Sequence, residues 1–163
     1  MTEVKFDQSK LFLPDSYMRI LYEMALRISS LLDKHKIMYW IDGGTLLGAL
    51  RHEAQIPWDD DLDFGVMQKD FGKLMKLEKE INELGYLCVM HHDVFKVYVP
   101  NAWKFDSIKT IGTPTLDIFS YMKKKGKIRL EFTNQYKLWP KAYHDEKDFL
   151  PLKEYKYGPI KLK

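Results

Sequence analysis

Apolar residues recur at three- and four-residue spacing behind Pro14-Asp15-Ser16: Met18, Leu21, Met24, Ala25, Ile28, Leu31 and Leu32. That spacing lines one face of a helix and the Pro-Asp-Ser run is a start signal, so residues 16–35 are predicted to be an amphipathic helix. Met38-Tyr39-Trp40-Ile41 is a short β-prone run that leads into Gly43-Gly44, and residues 45–51 read as a short helix with Leu46, Leu47 and Leu50 on one side. Residues 52–58, with Pro57, read as a loop. From Asp61 to Val66 the period changes to two: Leu62, Phe64 and Val66 point one way, Asp61, Asp63 and Gly65 the other. A second helix is predicted over 69–84, with Phe71, Leu74, Leu77, Ile81 and Leu84 as its stripe and Gly85 as its C-cap. Residues 86–90 and 94–99 read as strands joined by a tight turn at His91-His92-Asp93. Residues 113–121 are another strand, and Gly126 marks a hairpin turn into Ile128-Arg129-Leu130. From Phe132 on, Pro140, Pro151 and Pro159 punctuate an aromatic stretch of weak periodicity, assigned to loops and short strands. Residues 1–13 have little pattern and read as an arm. With no repeat, low-complexity tract or linker, residues 1–163 are expected to form a single domain.

Composition changes this picture little. At 163 residues, 45% hydrophobic and 30% charged, the chain has the makings of an ordinary globular protein with a real core. The net charge of +3 suits an anionic substrate, and without a long basic block the expectation is no nucleic-acid partner. The lone cysteine, Cys88, cannot form an internal disulfide, which points to a reducing compartment. The polar N-terminus and the lack of a membrane-length apolar run make a cytoplasmic protein with no transmembrane segment the expectation.

The candidate chemistry lies in the carboxylates. Asp61 and Asp63, two apart in a strand, share one face and repel each other unless a cation sits between them. Oxygen-only ligands suit a hard ion, Mg²⁺ or Mn²⁺. Asp117, an acid flanked by apolar residues in Leu116-Asp117-Ile118, is the candidate for a third ligand from a neighbouring strand. Asp59 and Asp60 read equally well as loop or capping residues and are not assigned as ligands.

Gly43-Gly44 follows a strand and opens a helix, an arrangement that lets backbone N–H groups approach an anion and that is also an ordinary tight turn. Thr45 suits a phosphate contact or a helix cap. Arg51 suits a bidentate phosphate clamp or a salt bridge to Asp59 or Asp60. His52 is a softer candidate for the same anion, as are Lys96 and Lys104 for a nucleotide. Trp58, Trp103 and Tyr98 are candidates to stack on a base or to enclose a quaternary ammonium. His91 and His92, at a hairpin tip, read as exposed.

Gly43-Gly44, an intervening helix, and then Asp61-Leu62-Asp63 with a later strand acid resemble the nucleotidyltransferase superfamily typified by DNA polymerase β. The fuller string from Asp42 to His52, followed by Ile56-Pro57-Trp58-Asp59-Asp60-Asp61-Leu62-Asp63, is closely similar to the LicD/fukutin family, and Leu116-Asp117-Ile118-Phe119 is similar to its third-acid strand. Phe149-Leu150-Pro151 to Tyr157-Gly158 resembles its downstream segment, so the resemblance covers roughly residues 16–160. Many bacterial members continue past the position of Lys163. The resemblance implies an α+β fold, a nucleotidyltransferase-like mixed β-sheet packed against helices. It implies divalent metal at Asp61 and Asp63, with Asp117 as a further ligand or the group that activates the acceptor. It implies that the glycine turn cradles phosphate. Family members move a phospho-alcohol, such as phosphocholine or ribitol phosphate, from a CDP-alcohol donor to a sugar or glycan hydroxyl, with CMP leaving. The alternatives are transfer of the nucleotide itself from another nucleotide donor, a member that binds nucleotide or sugar without turnover, and a plain α/β domain with an acidic loop.

Overall fold

The structure, a computed structural model, describes residues 12–100 and 113–163. The first eleven residues of the expected arm, Trp103 and Lys104 lie outside these. In chain order the elements are α1 (Asp15–Lys34), β1 (Tyr39–Ile41), α2 (Gly43–His52), β2 (Asp61–Met67), α3 (Gln68–Leu74), a 3-10 turn (Met75–Leu77), α4 (Glu78–Glu83), β3 (Leu87–His91), β4 (Val94–Tyr98), β5 (Thr115–Lys124), β6 (Lys127–Leu130), α5 (Thr133–Leu138), β7 (Tyr143–Asp145), α6 (Glu146–Phe149), β8 (Tyr155–Tyr157) and β9 (Ile160–Leu162).

The fold is α+β. The main sheet runs β1-β2-β5-β4-β3, with β6 on the far half of β5 and β7 beside β6; β8 and β9 form a separate hairpin. It is mixed, because β2 and β5 are parallel while the other pairs are antiparallel. Parallel pairing needs a crossover, which α3, α4 and the β3–β4 hairpin supply.

The period-two strands give the sheet two unlike faces. Leu62, Phe64 and Val66 of β2 and Leu116 and Ile118 of β5 are fully buried, in one cluster with Tyr17, Leu21, Met24, Ile28 and Leu32 of α1. Each such side chain contributes on the order of 1.5–3 kcal/mol by leaving water. On the other face a small second cluster forms around Trp40, Tyr121, Ile128 and Leu130. Gly65 makes room for it: a Cβ there would lie 2.2 Å from the Trp40 indole.

Three expectations change. The helix predicted over 69–84 divides into α3, the 3-10 turn and α4. Phe71, Leu74 and Leu77 recur every three residues, the period of a 3-10 helix, and Gly72 weakens the α-helix between them. The short helix expected from Thr45 begins at Gly43, so the glycines form its first turn instead of preceding it. The stretch after Phe132 contains two short helices, α5 and α6, besides strands. The tight turns follow the expected chemistry: His92 and Asp93, and Lys125 and Gly126, all have positive φ, as two-residue hairpin loops require.

The C-terminal hairpin belongs to the core. Tyr157 and Leu162 are buried, Ile41 N–H donates to the Lys163 carbonyl at 2.6 Å, and Gly158 N–H donates to the Glu53 carbonyl at 2.6 Å. Among the described residues no helix is long and apolar enough to cross a membrane.

Candidate active site

Strand register builds the centre of the site. Asp63 on β2 lies opposite Asp117 on β5, and Asp117 lies opposite Lys96 on β4. One row across three adjacent strands therefore carries two carboxylates and an ammonium, with Asp61 two residues along β2 on the same face. Lys96 Nζ bonds both Asp117 oxygens, at 2.6 Å to Oδ1. The Asp117 side chain is 11% exposed and that of Lys96 28%.

The loop before β2 adds acids. Asp59, Asp60 and Asp61 each present a carboxylate oxygen within 4.8 Å of the others, the one such group among the described residues. Asp61 thus belongs to two sets, with Asp59 and Asp60 in the loop and with Asp63 and Asp117 across the sheet. Gln55 shapes this loop from beneath. It is buried, and its Nε2 donates to the carbonyls of Asp59 at 2.7 Å and Asp61 at 2.8 Å. Its Oε1 accepts from the Tyr157 hydroxyl, and Tyr17 donates to the Asp60 carbonyl at 2.9 Å. Half-buried carbonyls so held cannot swing to solvent without losing their partners.

The glycines face acids at close range. Gly44 N–H donates to Asp63 Oδ2 at 2.9 Å. A Cβ on Gly43 would lie 2.3 Å from Asp63 Oδ2, and one on Gly44 2.3 Å from Asp59 Oδ2. Gly43 also has φ +46°, which side chains disfavour. In the structure this turn seats Asp63 at the positive end of α2.

Crowding and burial together oppose ionisation. The Asp63 carboxyl is pushed up to about 8, first by burial and then by Asp61, with Asp42 and Asp117 adding to the rise; the Gly44 N–H offsets part of it. Asp61 is pushed up to about 6 by burial, then by Asp59, Asp117 and Asp60. Asp59 is also raised, chiefly by burial.

The other candidates separate. Thr45 is fully buried and its hydroxyl accepts from Asp63 N–H at 2.8 Å, which places it under the site, not on its surface. The structure gives Thr45 neither the helix cap nor the open position that a phosphate contact needs. Arg51 and His52 are exposed in the last turn of α2. Arg51 stands seven residues beyond Gly44, roughly 10 Å along the helix axis. Among the described residues neither makes an ion pair or hydrogen bond with these acids. Trp58 is exposed beside His52, their rings 6.5 Å apart, and Tyr98 lies at the end of β4.

Sequence reasoning missed four features. Asp59 closes on Asp61 and Gly44. Gln55 organises the loop. Asp42 accepts from the Tyr121 hydroxyl while its own N–H donates to the Asp63 carbonyl at 2.9 Å. Beside Asp42, Gly43 and Asp63 opens a cavity of about 240 Å³ walled by Phe119, Tyr121 and Trp139. Phe119 and Tyr121 have the same strand parity as Asp117, a signal that was present in the alternation. A separate cavity of about 280 Å³, between Trp40, Leu46, His144 and Phe149, touches none of these acids.

The donor set has the chemistry of a divalent-cation site: Asp59, Asp60 and Asp61 lie within 4.8 Å of one another, while Asp63 and Asp117 join them through strand register. It consists of carboxylate oxygens, the ligands of hard ions. Its space is kept open where a glycine Cβ would intrude, and it already holds an ammonium at Asp117.

A family model described as LicD/FKTN/FKRP, nucleotidyltransferase domain, matches residues 36–163. An uncharacterized protein of Rickettsia typhi is 37% identical over 142 residues, covering 87% of this chain and 40% of the relative. Lipopolysaccharide cholinephosphotransferase LicD of Haemophilus influenzae is 28% identical over 134 residues, 69% of this chain and 51% of the relative. Ribitol 5-phosphate transferase FKRP of Homo sapiens is 41% identical over 91 residues, 52% of this chain and 18% of the relative. The chain thus spans about half the length, or less, of these relatives. Among solved structures, the lincomycin-bound lincosamide antibiotic adenylyltransferase LnuA is similar with a TM-score of 0.49 at 16% identity, over 93% of this chain and 79% of that one.

Proposed function

Because the chain belongs to the LicD/FKTN/FKRP nucleotidyltransferase-domain family, we propose that it is a metal-dependent transferase. It moves a phospho-alcohol from a CDP-activated donor to a hydroxyl of a sugar or glycan. The observation that carries this reading is the acid face of the sheet, where Asp61 and Asp63 stand beside Asp117 with their carboxyls raised to about 6 and about 8. Asp61, Asp63 and Asp117 would hold Mg²⁺ or Mn²⁺, with Asp59 next to them. A divalent ion held there would neutralise the donor diphosphate and acidify the acceptor hydroxyl.

The chain's own residues position the reaction. Gly44 N–H and the α2 N-terminus favour the charged form of Asp63. Gln55 and Tyr17 keep the 59–61 backbone from relaxing away from β2. The cavity beside Asp42 takes the organic part of the donor between Phe119, Tyr121 and Trp139, and such fixed walls align the phosphoryl group for attack. Two of the relatives are described as cholinephosphotransferase and ribitol 5-phosphate transferase, so those two alcohols are the donors to try first.

The test is CMP release from CDP-choline and CDP-ribitol with Mg²⁺ or Mn²⁺, followed by product mass. The expected product is an acceptor carrying the phospho-alcohol. Equal turnover by Asp63→Asn contradicts the reading, and an acceptor carrying the nucleotide replaces it with nucleotide transfer.

A further inference from the structure

Lys96 is unlike the surface lysines. Lys34 and Lys156 pair with Glu80 and Glu53 on the outside of the molecule. Lys96 instead sits within the sheet, in register with Asp117 on one side and Val89 on the other. Its ammonium bonds both oxygens of Asp117, one of the acids that would hold the metal. Its charge also reaches Asp61, where it favours the ionised carboxylate. Those Asp117 oxygens cannot serve an ammonium and a dication at full strength together, and two cations so close repel. The dication carries the larger charge. The lysine has a flexible four-carbon stem, three donors, and partial access to solvent with which to move.

We infer that Lys96 is an exchangeable counter-ion of the site: it pairs with Asp117 until a divalent ion is bound, and then turns its ammonium to the phosphate oxygens of the donor. The inference rests on the acid face being a metal site, as proposed above. It gives Lys96 two opposed effects, competing with the metal for Asp117 and assisting the anionic ligand. A lysine that only anchors the fold has neither.

The experiment is calorimetric titration of Mn²⁺ into the wild-type chain and Lys96→Met, then of CDP into each Mn²⁺-loaded protein. Lys96→Met keeps the apolar stem. It is expected to bind Mn²⁺ about three- to tenfold more tightly, because a competing charge is gone. It is expected to bind CDP about tenfold more weakly, because a charge-assisted hydrogen bond is lost. Unchanged or weaker Mn²⁺ binding by Lys96→Met, or unchanged CDP binding, overturns the inference while leaving the metal site in place. A wild-type chain that binds no Mn²⁺ overturns both. If Lys96→Met does not fold, the wild type answers alone through the ¹⁵N resonance of Lys96 Nζ, assigned by its loss in Lys96→Arg. Mg²⁺ is expected to shift that resonance and CDP to shift it again; a resonance that moves with neither overturns the inference.

Discussion

The two faces of strand β2 are made by alternate residues of one seven-residue segment and meet opposite physical fates. Leu62, Phe64 and Val66 are sealed against α1 and need nothing further. Asp61 and Asp63 sit among like charges, with pKa values about 6 and about 8, on the face where an aromatic cavity opens. The apolar face contributes stability whatever the solution contains. The acid face costs stability at neutral pH, because its raised carboxyls resist ionisation. The strand is thus a stable support on one side and a crowded acidic surface on the other.

The largest expected effects come from changing one residue on each face. Phe64→Ala removes a fully buried ring stacked on Tyr39, with centroids 5.1 Å apart, and should lower unfolding free energy by about 3–5 kcal/mol. Denaturant unfolding measures this, with or without metal. Asp63→Asn should do the reverse in metal-free protein and raise its melting temperature. The same change should cut CMP release by about a thousandfold, the scale of several kcal/mol of metal assistance. If Asp63→Asn destabilised the metal-free protein as Phe64→Ala does, the contrast between the faces would fail.

Gln55→Leu tests whether the acid face depends on its backing. It leaves the Tyr157 hydroxyl and the two loop carbonyls without their partner, a cost of about 1–3 kcal/mol in a melt. It should also weaken Mn²⁺ binding, because the 59–61 loop is freed. Gly43→Ala is expected to cost about 1–2 kcal/mol from its left-handed backbone, and to displace Asp63 as well.

The smallest effect is the pH dependence. Raised carboxyl pKa values mean that the folded state holds protons that the unfolded state has released. The stabilisation is full below the ordinary carboxylate range and is lost as pH rises through about 6 for Asp61 and about 8 for Asp63. Wild type should therefore lose melting temperature relative to Asp63→Asn between about pH 6 and 8, and saturating Mn²⁺ should remove that difference. A difference that grows in wild type's favour with pH has the wrong sign for this account.

Much of this was legible along the chain because alternation is a local signal. The strand at 61–66, its acid parity and the α1 stripe were read from spacing alone, and the register of β5 then put Asp117 opposite Asp63. What spacing could not show was who meets the glycines. Gly43 and Gly44 looked like a place for phosphate, and only the fold reveals Asp63 and Asp59 against them. Gln55 was invisible for the same reason, since its partners Asp59, Asp61 and Tyr157 come from the loop and from the C-terminal hairpin. Along the chain Lys96 is only a soft candidate for a nucleotide contact, and its pairing with Asp117 depends on the order β2-β5-β4. The second helix divides because the three-residue spacing of Phe71, Leu74 and Leu77 suits a 3-10 turn as well as an α-helical stripe.

The most direct test of the central claim is calorimetric titration of Mn²⁺ into wild type and Asp63→Asn near pH 7, repeated in buffers of different ionisation heat. Metal needs the charged carboxylates, so the proton held by Asp63 at this pH must leave as it binds. Saturable binding to wild type with proton release is expected, with binding lost or strongly weakened in Asp63→Asn. Mn²⁺ binding of equal strength in both proteins, or none in wild type, would contradict that claim.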